Sequence, residues 1–313
     1  MHAGTMDNSC TRQRTLKNVV RASGIGLHSG ERVGLVLRPA PVDHGIVFLR
    51  TDLDQPVRLP ARLDWVGRTT QTTTLTDGAV TLSLVEHLLA ALAGLGIDNL
   101  LIEVDAGELP IMDGSASPFV FLLQSAGVAL QDEPKRYIRI LKPIVERDGD
   151  AWGKLEPHDG CRLEYTLEYD HPVFLQHRRT AAVELSSTAF VREISRARTF
   201  GFLSDYERLQ RMNLARGGSL DNVVVLDDCR ILNDEGLRLG DEFVKHKILD
   251  ALGDLYLLGY GLIGAFSGFR SGHATNRALL ERLLADPAAW EIVTFHGRAE
   301  LPGSLGRPAV EFA

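Results

Sequence analysis

The stretch "SLVEHLLAALAGLGIDNLLIEVD", residues 83–105, decides the fold class, because it joins one helix to one strand through a glycine stop. Every residue from 84 to 95 except Glu86 and His87 is apolar or glycine, which predicts a helix that is buried on nearly all sides. Gly96 ends this helix, and residues 99–104 have the composition of a strand. We therefore expect a sheet with helices packed on one face.

A second helix with the same apolar pattern is predicted at "HKILDALGDL", residues 246–255. The two helices share four identical residues at equivalent positions, which are Leu89 and Leu249, Ala91 and Ala251, Leu92 and Leu252, and Leu95 and Leu255. Leucine and alanine are common in helices, so chance similarity explains the match as well as duplication does. Duplication predicts an α+β fold of two similar domains, each a small sheet packed with helices in a β-α-α-β sandwich, with the active site at the domain interface.

The length of 313 residues also favours two domains, because one domain typically takes about 150 residues. Short strands are predicted at 33–37 and 45–50, and a further helix near 117–127. The polar, proline-containing "QDEPKR" at 131–136 has the composition of a linker. We predict a leader at 1–11, a first domain at 12–130, a linker at 131–136, a second domain at 137–296 with an insert near 200–220, and a tail at 297–313.

The composition excludes several classes of protein. There is no uninterrupted apolar run of about 18 residues and no apolar signal-peptide region, so we expect a cytoplasmic protein without an integral membrane segment. A net charge of −7 argues against nucleic acid as a partner. Cys10, Cys161 and Cys229 are far apart and lack CxxC spacing, so any metal must be bound by histidine and carboxylate.

Glu86 and His87 need polar partners if their helix is buried. Ser83 and Glu86 fit the spacing of a capping box, in which Glu86 would bind a backbone N–H and His87 would be a core histidine. The alternative combines His87 with His246 and Asp250, which lie one turn apart on the second helix. Two imidazoles and one carboxylate suit a catalytic zinc with an open position for water, and Glu86 would then take a proton from that water.

Other interpretations of these residues stay open. The polar positions of the second helix also fit the solvated stripe of an amphipathic helix. Two histidines and a carboxylate form the facial triad of non-haem iron oxygenases as well, and a nucleotide-sugar binding module with a structural zinc is a third possibility. "GIGLHSG" at 24–30 lacks the GxGxxG spacing of a dinucleotide-binding loop, and "HKILD" is not the HExxH pattern of zinc peptidases.

His273 lies in the glycine- and serine-rich "FRSGHATN" and is either a solvated loop residue or part of the site. Asp254 lies one turn beyond Asp250, where its carboxylate would orient an imidazole and favour the protonated form. A cationic His273 near the metal would stabilise an oxyanion or protonate a leaving amine.

Several long motifs resemble the UDP-3-O-acyl-N-acetylglucosamine deacetylase family. They are "SLVEHLLAALAGLGIDNLLIEVDAGELPIMDGSASPFV", "RARTFGF", "DEFVKHKILDALGDLYLLGYGLIGAFSGFRSGHATN" and "AELP". The resemblance runs from about Arg12 to the C-terminus. It implies a cytoplasmic, zinc-dependent amidohydrolase of lipid A biosynthesis, with Fe²⁺ as an alternative metal in the same site. Its substrate would be UDP-3-O-(3-hydroxyacyl)-N-acetylglucosamine, and we expect it to act as a monomer.

The resemblance also assigns roles to residues. It implies His87, His246 and Asp250 as metal ligands, Glu86, His273, Thr199, Lys247 and Asp254 as catalytic residues, and Arg270, Gly272, Phe200, Phe202 and Leu203 as substrate-binding residues. An amphipathic helix predicted within 200–220 would form a hydrophobic passage for the acyl chain, although its apolar face also fits simple packing on its own domain. Two positions depart from many relatives: Thr72 stands where some have cysteine, and Arg270 where many have lysine.

Overall fold

The computed structural model describes residues 11–67, 69, 71–297, 300–302 and 305. The strands are β1 (Arg12–Leu16), β2 (Val20–Ile25), β3 (Arg32–Pro39), β4 (Ile46–Arg50), β5 (Val57–Pro60), β6 (Leu75–Asp77), β7 (Val80–Leu82), β8 (Leu100–Val104), β9 (Val128–Pro134), β10 (Arg136–Ile140), β11 (Ile144–Asp148), β12 (Ala151–Glu156), β13 (Cys161–Thr166), β14 (Thr180–Glu184), β15 (Phe200–Phe202), β16 (Val224–Leu226), β17 (Gly261–Phe269) and β18 (Trp290–Thr294). The helices are α1 (Glu86–Leu95), α2 (Ser117–Ala126), α3 (Pro172–Gln176), α4 (Ser187–Ala189), α5 (Leu203–Arg211), α6 (Glu242–Leu255) and α7 (His273–Ala285).

A five-stranded sheet forms in the N-terminal half of the chain, with the strand order β2-β3-β8-β4-β5. The pair β4 and β8 is parallel, and the other neighbours are antiparallel. In β3 the alternate residues Val33, Leu35 and Leu37 are buried, which follows from the two-residue repeat of a strand with one face on the core. The strands predicted at 33–37 and 45–50 are therefore confirmed.

A seven-stranded sheet forms in the C-terminal half and is built around β17. Along the path β11-β12-β17-β10-β18, the first part of β17 pairs with β10 and the later part with β12. On the edge opposite β12, residues 264–269 of β17 pair with β13, which carries β14. Helix α7 packs on β11 and β12, and α6 packs on β13.

Helices α1 and α6 pack directly against each other, so the two helices of the predicted repeat meet as expected. Helix α1 also contacts α2, and nine of its ten residues are buried, including Glu86 and His87. One continuous apolar core includes side chains from both large sheets and from both central helices. The mixed α+β fold is confirmed.

Helix α1 begins two residues later than predicted, because Leu84 has a φ of 63° and cannot continue a right-handed helix. The segment predicted as a linker also differs from expectation. Residues up to Pro134 belong to β9, which pairs with β1, and β10 begins at Arg136. The division of the chain into two domains at this point stays a prediction. The predicted leader, except Thr11, and most of the predicted tail lie outside the described residues.

The short helix predicted within 200–220 is present as α5. None of its residues is buried, and Leu203 and the following Met212 are 39% and 62% exposed. Packing on its own domain therefore does not account for its apolar side chains. In the described part of the chain, no helix has the length and apolar character needed to cross a bilayer.

Candidate metal centre and active site

His87, His246 and Asp250 come together where the first turn of α1 meets α6. One ligand atom from each lies within 4.8 Å of the other two. Asp250 Oδ1 is 3.3 Å from His246 Nε2 and 3.6 Å from His87 Nε2. The three residues are 3%, 3% and 5% exposed, so the interpretation of the α6 positions as a solvated stripe is wrong.

The tautomer of His246 suits metal binding. Its Nδ1 lies 3.0 Å from the carbonyl oxygen of Ala197, which is an acceptor, so Nδ1 carries the proton and the lone pair of Nε2 faces the cluster. Burial lowers the pKa of His246 to about 4 despite the nearby carboxylate of Asp250. The imidazole is therefore neutral at neutral pH, as a ligand must be.

Asp250 is held in its ionised form. Burial opposes ionisation, but His246 and Lys247 together bring the pKa of this carboxyl well below its usual range. Lys247 Nζ donates to Asp250 Oδ2 at 2.9 Å, which leaves Oδ1 directed at the two imidazoles. Among the described residues, none lies within hydrogen-bonding distance of the buried His87 Nδ1. Two imidazoles and an ionised carboxylate are a donor set that fits a divalent transition metal.

Glu86 stands beside this cluster and does not cap its helix. The N-cap residue is Val85, which makes no side-chain capping bond, and Ser83 Oγ contacts the carbonyl oxygen of Gly107. Glu86 Oε2 instead accepts from the backbone N–H of Thr73 at 3.0 Å. The capping-box interpretation is therefore wrong. Burial raises the pKa of Glu86, and the nearby imidazoles partly offset this rise.

His273 is a buried residue at the start of α7, so its interpretation as a solvated loop histidine is wrong. Its Nδ1 donates to Asp254 Oδ2 at 2.8 Å, and its Nε2 lies 3.9 Å from Glu86 Oε1. Burial alone would lower the pKa of His273, but the carboxylates of Asp254 and Glu86 outweigh it and raise the pKa to about 9. The imidazole is therefore cationic at neutral pH.

These groups open into one cavity of about 570 Å³. Its lining includes Glu86, His87, His246, Asp250 and His273, together with Thr199, Phe200, Phe202, Leu203 and other residues of α5. The ring of Phe200 lies 6.4 Å from that of His246, between centroids. We call the part of the cavity lined by Phe200, Phe202, Leu203 and α5 the apolar arm.

Four of the predicted site residues do not line this cavity. Lys247 bonds to Asp250, and Asp254 bonds to His273. In each pair only the second-named residue, Asp250 or His273, lines the cavity. Arg270 and Gly272 lie outside the lining. Arg270 is half exposed, has a φ of 51°, and brings its guanidinium within 3.9 Å of Glu168.

Three contributors to the site were not predicted. They are Thr73, the carbonyl of Ala197, and Asn276, whose Nδ2 donates to Asp254 Oδ2 at 2.8 Å. Asn276 lies one helical turn after His273, so the sequence spacing indicates that both side chains can contact the same partner. Thr73 is 181 residues from Asp254 in sequence, and no local pattern connects them.

The chain is similar to one family of known proteins. The family model described as "UDP-3-O-acyl N-acetylglycosamine deacetylase" matches residues 13–285. A relative from Methylococcus capsulatus is 58% identical over 298 residues, covering 95% of this chain and 98% of its own. A second from Thioalkalivibrio sulfidiphilus is 57% identical over 302 residues, with 96% and 99% covered, and one from Coxiella burnetii is 57% identical over 291 residues, with 93% and 96% covered. All three carry the name UDP-3-O-acyl-N-acetylglucosamine deacetylase.

Proposed function

The chain belongs to the UDP-3-O-acyl-N-acetylglucosamine deacetylase family, and on that premise we propose that it hydrolyses the acetamide of UDP-3-O-(3-hydroxyacyl)-N-acetylglucosamine in lipid A biosynthesis. One observation carries the proposal. The buried carboxylate of Glu86 lies 3.9 Å from the buried cationic imidazole of His273, and both line the same cavity as His87, His246 and Asp250. A general base and a general acid that share one metal centre are what amide hydrolysis requires.

We propose Zn²⁺ as the metal, held by His87, His246 and Asp250. The neutral Nε2 of His246 and the ionised Asp250 support this assignment, and Fe²⁺ fits the same donors. When bound, the metal would act as a Lewis acid that polarises the amide carbonyl and lowers the pKa of a bound water.

Glu86 would be the general base. The Thr73 N–H fixes Oε2, so Oε1 remains free to accept a proton from the attacking water. Burial raises its pKa, which makes the carboxylate a stronger base toward the attacking water. As the water oxygen bonds to the carbonyl carbon, its proton would pass to Glu86.

His273 would protonate the leaving nitrogen. Nδ1 is held by Asp254, so the proton on Nε2 points toward Glu86 Oε1 and the space between them. The C–N bond would break as nitrogen takes this proton, releasing acetate and the glucosamine amine. Thr199 lines the same cavity, and we propose that its hydroxyl donates to the developing oxyanion.

The apolar arm would take the acyl chain. Phe200, Phe202 and Leu203 line it, and we assign substrate contacts to them. Lys247, Arg270 and Gly272 would contact the polar part of the substrate from outside this cavity. Because all of these residues come from one chain, we expect a monomer to be active.

An iron oxygenase, which uses the same three donors, is the alternative that the family match disfavours. It would leave the pairing of Glu86 with His273 without a function. The deciding experiment incubates the purified protein with the acylated UDP-sugar in oxygen-18 water and analyses the products by mass spectrometry. We expect equimolar acetate and free amine, label in the acetate, and the same rate without O₂. Turnover that requires O₂, or no acetate, would reject the proposal.

A further inference from the structure

We infer that Thr73 is a positioning residue that holds the base and the acid of this site in a fixed relation to each other. The roles of Glu86 and His273 rest on the proposed function. The contacts of Thr73 are seen in the structure and do not depend on those roles.

The backbone of Thr73 contacts the first turn of α1. Its N–H donates to Glu86 Oε2 at 3.0 Å, and its carbonyl oxygen accepts from the N–H of Val85 at 3.4 Å. Thr73 is 1% exposed, so water does not compete for these bonds. The Glu86 carboxylate is thereby held with Oε1 turned toward His273.

The side chain of Thr73 contacts the partner of the acid. Its Oγ1 donates to Asp254 Oδ1 at 2.5 Å and lies 3.2 Å from His273 Nδ1. Asn276 Nδ2 donates to the other carboxylate oxygen at 2.8 Å. Asp254 therefore receives hydrogen bonds from Thr73, Asn276 and His273, which come from two separate parts of the chain. This number of donors fixes the plane of the carboxylate and with it the direction of the imidazole.

One residue thus contacts the base through its backbone and the orienting carboxylate through its hydroxyl. Because the backbone and the hydroxyl have different partners, a substitution can remove the hydroxyl and keep the backbone contact with Glu86. Thr73→Val keeps the branched shape and the N–H to Glu86 but removes the donor to Asp254. Thr73→Ser keeps the hydroxyl and removes only the methyl group.

The experiment measures kcat, KM, bound metal and thermal unfolding for both variants. We expect Thr73→Val to lower kcat by about 10- to 100-fold, as is typical when a supporting hydrogen bond is lost, with KM and bound metal close to wild type. Thr73→Ser, which keeps the hydroxyl, should have a kcat close to wild type. If Thr73 served only packing, the serine variant, which loses a methyl group, would be the more affected one.

Two controls complete the test. Thr74→Val removes a neighbouring hydroxyl that bonds to none of the described residues, and it should leave kcat unchanged. In an Asp254→Ala background, Thr73→Val should lose most of its effect, because the acceptor of the Thr73 hydroxyl is already absent.

Wild-type kcat in Thr73→Val, a large loss of kcat in Thr73→Ser, or additive effects of Thr73→Val and Asp254→Ala would overturn the inference. None of these results would affect the proposed function as long as the wild type releases acetate. Absence of acetate from the wild type would instead reject the proposed function itself.

Discussion

The carbonyl oxygen of Glu86 lies against the α-carbon of Gly253, and a β-carbon at Gly253 would come within 2.1 Å of that oxygen. No real β-carbon tolerates such a distance, so this close approach of α6 to the first turn of α1 requires glycine. Gly253 lies beside Asp254 and one turn after Asp250. The part of the candidate site on α1 and the part on α6 therefore meet at a residue that has no side chain.

Gly253→Ala should push α1 and α6 apart at the candidate site. We expect a loss of about 1–3 kcal/mol in the free energy of unfolding, as is usual for overpacking, together with weaker metal binding. Urea unfolding and metal titration measure the two effects. Gly240→Ala is the matched control, because among the described residues no atom lies within 4 Å of a β-carbon at that position. Equal metal affinity in both variants would show that the site tolerates a wider spacing.

His87→Ala, His246→Ala and Asp250→Ala should each leave a folded protein with less than about a tenth of the wild-type metal content, because each removes one of three ligands. Elemental analysis of the purified proteins measures the content. His158→Ala, which removes an imidazole paired with Glu184 at the surface, should retain full occupancy. Full occupancy in all three ligand variants would exclude this site.

His273 should make the stability of the metal-free protein depend on pH. Burial lowers its pKa, but Asp254 and Glu86 raise it from 6.5 to about 9 in the folded state. A pKa raised by folding adds stability that is full below pH 6.5 and is lost as the pH rises through about 9. The upper bound is about 3.5 kcal/mol, at about 1.4 kcal/mol per pKa unit.

Urea unfolding of metal-free wild type and His273→Gln measures this contribution at about pH 6 and about pH 9.5. The difference in unfolding free energy between the two proteins should shrink at the higher pH. A difference independent of pH would mean that His273 is not charged in the folded protein.

Leu203→Glu should weaken catalysis selectively for the acylated substrate, because it places a charge in the apolar arm of the cavity. Losing the burial of two methylenes costs roughly 1.6 kcal/mol, so kcat/KM should fall by about tenfold or more. Leu284→Glu is a matched control, since Leu203 and Leu284 are 39% and 37% exposed. If the wild type processes acylated and non-acylated UDP-sugars equally well, the arm does not bind the acyl chain.

Much of the fold could be predicted from apolar periodicity, because α1, β3 and β4 each bury a regular set of side chains. The segment before Pro134 was mistaken for a linker, since its strand character comes from pairing with β1, more than 100 residues earlier. The carboxylate and imidazoles of the site could be proposed because polar residues in an apolar helix need partners.

The contacts of Thr73 and the close approach at Gly253 could not be predicted. Both depend on how distant segments pack, and a threonine in a polar loop or a glycine in a helix has no local pattern that reveals its partner. The positions of Arg270 and Gly272 outside the cavity likewise follow from the path of the chain after β17.

The central claim is that Glu86 acts as the base of a metal-dependent deacetylation, and Glu86→Gln tests it most directly. Bound metal and kcat for acetate release are measured on the same sample, with Glu31→Gln at the exposed surface as control. We predict wild-type metal content with kcat lowered by about 10² to 10⁴-fold, because an amide cannot accept the proton of the attacking water. Near-wild-type kcat in a fully loaded Glu86→Gln protein would contradict the claim.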